Sequence, residues 1–215
     1  MTMEQLFEEM IRVNMLEHEV IYHTMKSFKM LRDAAKRIEE KFESKYPENN
    51  MGFDVNKSSE YVFEVSFGSD VLAFICHPDV YCFPKNHETM RLPYVTENKS
   101  NSYCGVIEIY NFLSESFQLN KLDDSGALIG RVYVNREGHF YVEGVRELAG
   151  FLSRFGSEVF SIAAAEKIIE SSIEVALHYD MFVPEISELT RISIDSFMAY
   201  RDKMMLRSGK KIGFE

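Results

Sequence analysis

From Met3 to Tyr46 the chain carries neither proline nor glycine. Across that stretch apolar residues return at helical spacing through Leu6, Met10, Val13, Val20, Phe28, Leu31, Ala35, Ile38 and Phe42. An unbroken helix of this length would run roughly 60 Å at 1.5 Å per residue, longer than a domain of this size is wide. Two arrangements accommodate it. Either the chain turns near Asn14 or between His23 and Ser27 to make a helical hairpin, or the apolar stripe packs on a second copy of the protein. Glu17 and Thr24 interrupt the stripe, so a short helical contact is expected rather than a regular coiled coil.

Strand patterns follow. Pro47 to Asn50 and Gly52 are turn chemistry that closes the helix. Tyr61, Phe63, Val65 and Phe67 then alternate up to Gly68, Ser69 and Asp70, and a second apolar run leads from Val71 to Cys76, which predicts a hairpin. His77, Pro78 and Asp79 break the pattern, and Val80 to Phe83 reads as a short third strand. The segment from Pro84 to Ser102 reads as a loop with one helical turn at most. Cys104 to Tyr110 is a strand, and Asn111 to Asn120 reads equally as strand or helix. Leu128 to Val134 and His139 to Glu143 flank the turn Asn135–Gly138 as a second hairpin. Val145 to Tyr179 has helical spacing, weakened by Gly150 and Gly156, and a last helix is expected from Pro184 to Leu206.

This order predicts an α+β fold: a mostly antiparallel, five- to six-stranded sheet flanked by a long N-terminal helix and C-terminal helices. The segments are a helical 1–50, an α+β core 51–183 and a helical, basic-tailed 184–215, expected to form one structural domain. The order of elements is loosely similar to that of profilin-like and PAS-like domains. No motif is shared with them, so the likeness implies a layout and no function.

A net charge of −10 opposes a nucleic-acid role, which needs clustered Lys and Arg; the basic run from Arg201 to Lys211 reads as a solvated helix end. No stretch has the eighteen or so apolar residues of a membrane span. Three cysteines, an odd number, and a start without a basic or apolar leader point to a reducing cytoplasm.

The densest group of reactive side chains is Cys76, His77, Asp79, Cys82 and His87, with Cys104 within reach across the sheet. Cys76 and Cys82 have five residues between them rather than standing in the close pairs of a structural zinc site, so they read as small core residues and no metal or cofactor is expected. Cys76 and His77, adjacent on one strand, face opposite ways and do not form a nucleophile–base pair. The sequence beginning at His87 and Glu88 lacks the second histidine of a zinc protease motif, and Gly126 and Gly130 do not lead into a helix as phosphate loops do. Asp123 and Asp124 read as turn residues. Aromatic residues are too many for one face of the sheet, so the second face carries either helices, a ligand pocket or a partner surface.

These readings predict a non-enzymatic binding or regulatory module that forms a homodimer through its N-terminal helix and part of its C-terminal helices. Its small-molecule or peptide site would lie between the sheet and the 84–102 loop, lined by His77, Asp79, His87, Arg91, Tyr103 and Arg131. The alternative is a small enzyme at the same loop, with His77 or His87 as acid or base and Asp79 or Glu88 orienting it.

Overall fold

The computed structural model describes residues 1–48, 52–56, 58–119, 121, 124–145, 148, 155–179 and 191–205. The N-terminal stretch is one unbroken helix, α1 (Met3–Lys45), opened by a capping box in which Thr2 and Gln5 satisfy each other's backbone N–H. Its 43 residues span about 64 Å. The helical-hairpin alternative is therefore wrong, and the chain turns neither at Asn14 nor between His23 and Ser27. Nothing in the stretch breaks a helix, and Thr24, the polar interruption, returns its hydroxyl to the Val20 carbonyl at 2.7 Å.

All strand pairs are antiparallel. The main ladder runs β1 (Phe53–Asn56), β2 (Val62–Phe67), β3 (Asp70–Cys76), β5 (Tyr103–Leu113), β6 (Ser125–Asn135) and β7 (Phe140–Gly144). Two short strands add to it: β4 (Tyr81–Cys82) pairs with the start of β5, and β8 (Arg191–Ser193) pairs with the start of β6. Both expected hairpins are present, and β4 is the expected third strand.

Strand alternation divides the side chains between two faces. The first presents Phe63, Leu72, Phe74, Ile107, Val132 and Phe140 to the buried stripe of α1, with α4 (Ile162–Tyr179) packed beside it. Only residues from Leu16 to Ala35 of α1 are buried in this layer, and residues 1–15 are exposed throughout. The two layers touch where Thr24 meets Gly105, at which a Cβ would overlap the Thr24 side chain.

The second face is covered at its two ends by different segments. At one end α5 (Ile194–Met205) and α3 (Ser114–Gln118) bring Ile194, Phe197 and Phe117 onto Val62, Val71, Ala73, Ile75, Tyr110 and Phe112. At the other end lies the 84–102 segment, which is more ordered than its polar composition indicates. It contains a 3-10 turn (Glu88–Arg91), α2 (Pro93–Glu97) and a second 3-10 turn (Lys99–Ser102). Its apolar residues Val95, Leu92 and Tyr94 pack with Phe83, Cys104 and Phe155. Buried Asn135 pins it: its Oδ1 accepts from the N–H groups of Glu137 and His139, and its Nδ2 donates to the Tyr94 hydroxyl at 2.7 Å.

Other boundaries differ from the sequence reading for local reasons. The ambiguous stretch is strand to Leu113 and then α3, with Asn120 outside the described residues. The helix expected from Val145 begins only at Ile162. Gly156 takes φ +91°, a left-handed value that stops a helix, and Val159 bridges to His139. Residues 146–147 and 149–154, Gly150 among them, lie outside the described residues, as do Asp123, 184–190 and the basic tail from 206. The last helix is preceded by β8, too short to show a strand pattern.

Overpacking the α1–β5 contact tests this layering. Gly105→Ala is expected to lower the unfolding free energy by about 2 kcal/mol in a chemical denaturation series. An unchanged midpoint would mean that α1 does not lie against β5 at Thr24.

Candidate ligand cleft

Between the two covers of the second face the sheet stays open, leaving a cleft of about 340 Å³. Its floor is Cys104, Val106 and Glu108 of β5, Arg131 and Tyr133 of β6, and Glu143 of β7; its wall is the arm from His77 through Tyr81, Cys82, Phe83 and Pro84 to His87.

The floor is organised by register. Glu108 pairs with Arg131 across β5–β6, and Arg131 pairs with Glu143 across β6–β7, so the three form one transverse row on one face. Arg131 donates Nε to Glu108 Oε1 at 2.9 Å, while Glu108 Oε2 accepts from His77 Nε2 and from the Tyr110 hydroxyl, each at 3.0 Å. Glu143 engages different donors, His87 Nε2 at 3.0 Å and the Tyr133 hydroxyl at 2.9 Å. The Thr89 backbone N–H donates to His87 Nδ1 at 3.3 Å, which assigns the ring proton to Nε2, facing Glu143. Phe83 stacks on the His87 ring at 4.6 Å, and the Tyr141 hydroxyl donates to Glu88 at 2.7 Å, so the wall is tied to the floor at several points.

Burial by itself would raise the Glu108 carboxyl, but hydrogen bonds from His77 and Arg131 outweigh it and bring the group down to about 2. Burial raises Tyr110 and Tyr133, and their carboxylate partners, Glu108 and Glu143, push each further up, so both stay neutral hydroxyl donors. Burial also pushes the Cys76 thiol up to about 12 and raises Cys104, which keeps both protonated. Cys82 is exposed at the rim. Among the described residues, no group of three or more His, Cys, Asp or Glu side chains is placed to hold a metal ion.

Of the six residues singled out from sequence, His77, His87 and Arg131 meet in this cleft. Asp79 is exposed and lines a separate cavity of about 180 Å³ under α1, with Ile21, Thr24 and Met25. Arg91 and Tyr103 are exposed and line neither cavity. The carboxylates beside the two histidines are Glu108 and Glu143 rather than Asp79 and Glu88. Glu143 was within reach of sequence reasoning, because the turn Asn135–Gly138 fixes the hairpin register and sets it opposite Arg131. Glu108 had a weaker signal, a lone charge inside an apolar strand.

By architecture the chain is an α+β protein whose antiparallel sheet is covered by helices on one face and left with a partly polar cleft on the other. Among the described residues no helix is long and apolar enough to cross a membrane. Compared with known proteins, the chain matches no family model, no curated protein and no solved structure. The expected likeness of element order to profilin-like and PAS-like domains finds no support in these comparisons.

Two measurements test the site. The depressed Glu108 carboxyl contributes stability above its unfolded value of 4.5 that is lost as pH falls through about 2. Glu108→Gln is thus expected to destabilise at neutral pH by on the order of 2 kcal/mol, with the gap to wild type closing between about pH 4.5 and 2; a gap independent of pH would contradict the network. Iodoacetamide on the native protein is expected to modify Cys82 alone, and comparable labelling of Cys76 or Cys104 would contradict the burial assigned to them.

Proposed function

We propose that the protein is a non-enzymatic, cytoplasmic binding module that dimerises through the free end of α1 and takes a small ligand in the cleft. The observation that carries the first part is the overhang of α1. Phe7, Met10 and Ile11 are 55%, 60% and 61% exposed, and Met3 and Met15 are similarly bare. At 100° per residue Met3, Phe7, Met10 and Asn14 fall on one side, and Gln5, Glu8, Glu9 and Arg12 on the other, where Arg12 pairs with Glu9.

A second copy fits this surface. The residues on the apolar side repeat at four, three and four, the spacing of a short two-helix seam, with Asn14 at a position where a polar residue favours pairing with its own kind. Glu8 and Glu9 lie on the far side of the helix, away from the seam. The C-terminal helices add less than the sequence indicated, because Ile168, Ile169, Val175 and Ala176 of α4 and Ile194 and Phe197 of α5 are buried within the fold.

The enzymatic alternative draws on the two histidine–carboxylate pairs of the cleft. His87, however, is held by Thr89 and Glu143 as a link between wall and floor, and His77 Nε2 is held by Glu108. Binding is the reading we favour.

Sedimentation equilibrium is expected to give a dimer, and Phe7→Asp with Met10→Asp is expected to weaken association at least a hundredfold with thermal unfolding of the monomer unchanged, since both residues are exposed and outside the buried core. A strictly monomeric wild-type mass across a wide concentration range would sink the proposal.

A further inference from the structure

The charged row at the cleft floor has unequal partners. Arg131 uses Nε on Glu108 and its guanidinium also reaches the Tyr133 hydroxyl, while the side chain stays 36% exposed and lines the cleft. Glu143 accepts from His87 and Tyr133, but among the described residues no lysine or arginine pairs with it, and it too is 36% exposed. The two sit in register on neighbouring strands, which stand about 4.8 Å apart. A guanidinium with donors to spare and a carboxylate without a Lys or Arg partner therefore lie side by side on the floor, with Val106 nearby on β5 and Tyr81 and Phe83 in the wall.

We infer that the cleft binds a free α-amino acid with an apolar or aromatic side chain: its carboxylate on the Arg131 Nη groups, its ammonium on Glu143, and its side chain among Tyr81, Phe83 and Val106. This rests on the reading of the cleft as the ligand site. A planar fork suits a carboxylate through two parallel hydrogen bonds. Each carboxylate oxygen of Glu143 takes one donor in the structure and retains a lone pair for an ammonium. A ligand with one charge fares worse. A simple carboxylate on Arg131 would be flanked by Glu108 and Glu143, and a simple amine on Glu143 would sit beside Arg131; only a zwitterion complements both neighbours. The cavity, about 340 Å³, is near the lower end of small-molecule sites, which suits one amino acid and not a peptide.

The test begins with thermal shift of the full chain against each of the twenty common amino acids. Calorimetry follows with the best one, its N-acetyl derivative, its decarboxylated amine and its deaminated acid. The expected result is an apolar or aromatic amino acid that binds at least tenfold more tightly than any of the three derivatives and slows alkylation of Cys82. Glu143→Gln, which keeps the shape and an acceptor for His87, and Arg131→Lys, which keeps the charge facing Glu108 but loses the fork, should each weaken it at least tenfold. If the amine or the acid binds as tightly as the amino acid, and slows Cys82 alkylation, the cleft remains a ligand site but the zwitterion assignment is overturned. If no amino acid raises the midpoint and none of the compounds slows Cys82 alkylation, both the assignment and the cleft reading fail.

Discussion

One close approach governs the layout: the Thr24 side chain of α1 set against the bare backbone of Gly105 on β5. Here the helix lies too near the strand for any side chain to stand between them. Leu16, Val20, Phe28, Leu31 and Ala35 follow from it as the stripe that closes the first face of the sheet. The contact also fixes where α1 stops being covered. The helix is longer than the sheet is wide, so anchoring its middle and C-terminal part leaves the first fifteen residues beyond the edge with their apolar side chains in water. An apolar helix end in that position either meets a partner or frays.

The second face follows a different logic. It is not roofed by one element but shared between α5 with α3 at one end and the 84–102 segment at the other, and the gap between the two covers is the cleft. The polar residues in that gap are the ones that strand register places there: Glu108, Arg131 and Glu143 in one row, with Tyr133 beside them. A charged row on a half-buried face survives because Arg131 satisfies Glu108 and because His77 and His87 reach in from the wall to Glu108 and Glu143. The same arrangement leaves Arg131 and Glu143 each with bonding capacity to spare at the cleft surface.

How much of this was legible in the sequence depended on the range of the interaction. The long helix, both hairpins and the short third strand were readable because helical spacing, strand alternation and turn residues are local. The stop at Gly156 and the strand Arg191–Ser193 were not, since the first depends on a left-handed backbone held by packing and the second on pairing with residues more than sixty positions away. The cleft was half legible. His77, His87 and Arg131 drew notice by residue type, whereas Glu108 and the role of Tyr133 emerge only when three strands are set in register. Asp79 was near in sequence and is turned to a different cavity, which shows how weak a guide sequence proximity is at a strand exit.

The most direct test of the central claim, that the free end of α1 is an interface, is amide hydrogen exchange across residues 3–15 as a function of protein concentration. If a second copy covers this end, its amides exchange slowly in concentrated solution and speed up on dilution, while those of residues 20–35, held against the sheet, do not change. Exchange across residues 3–15 that is equally fast at every concentration would contradict the account.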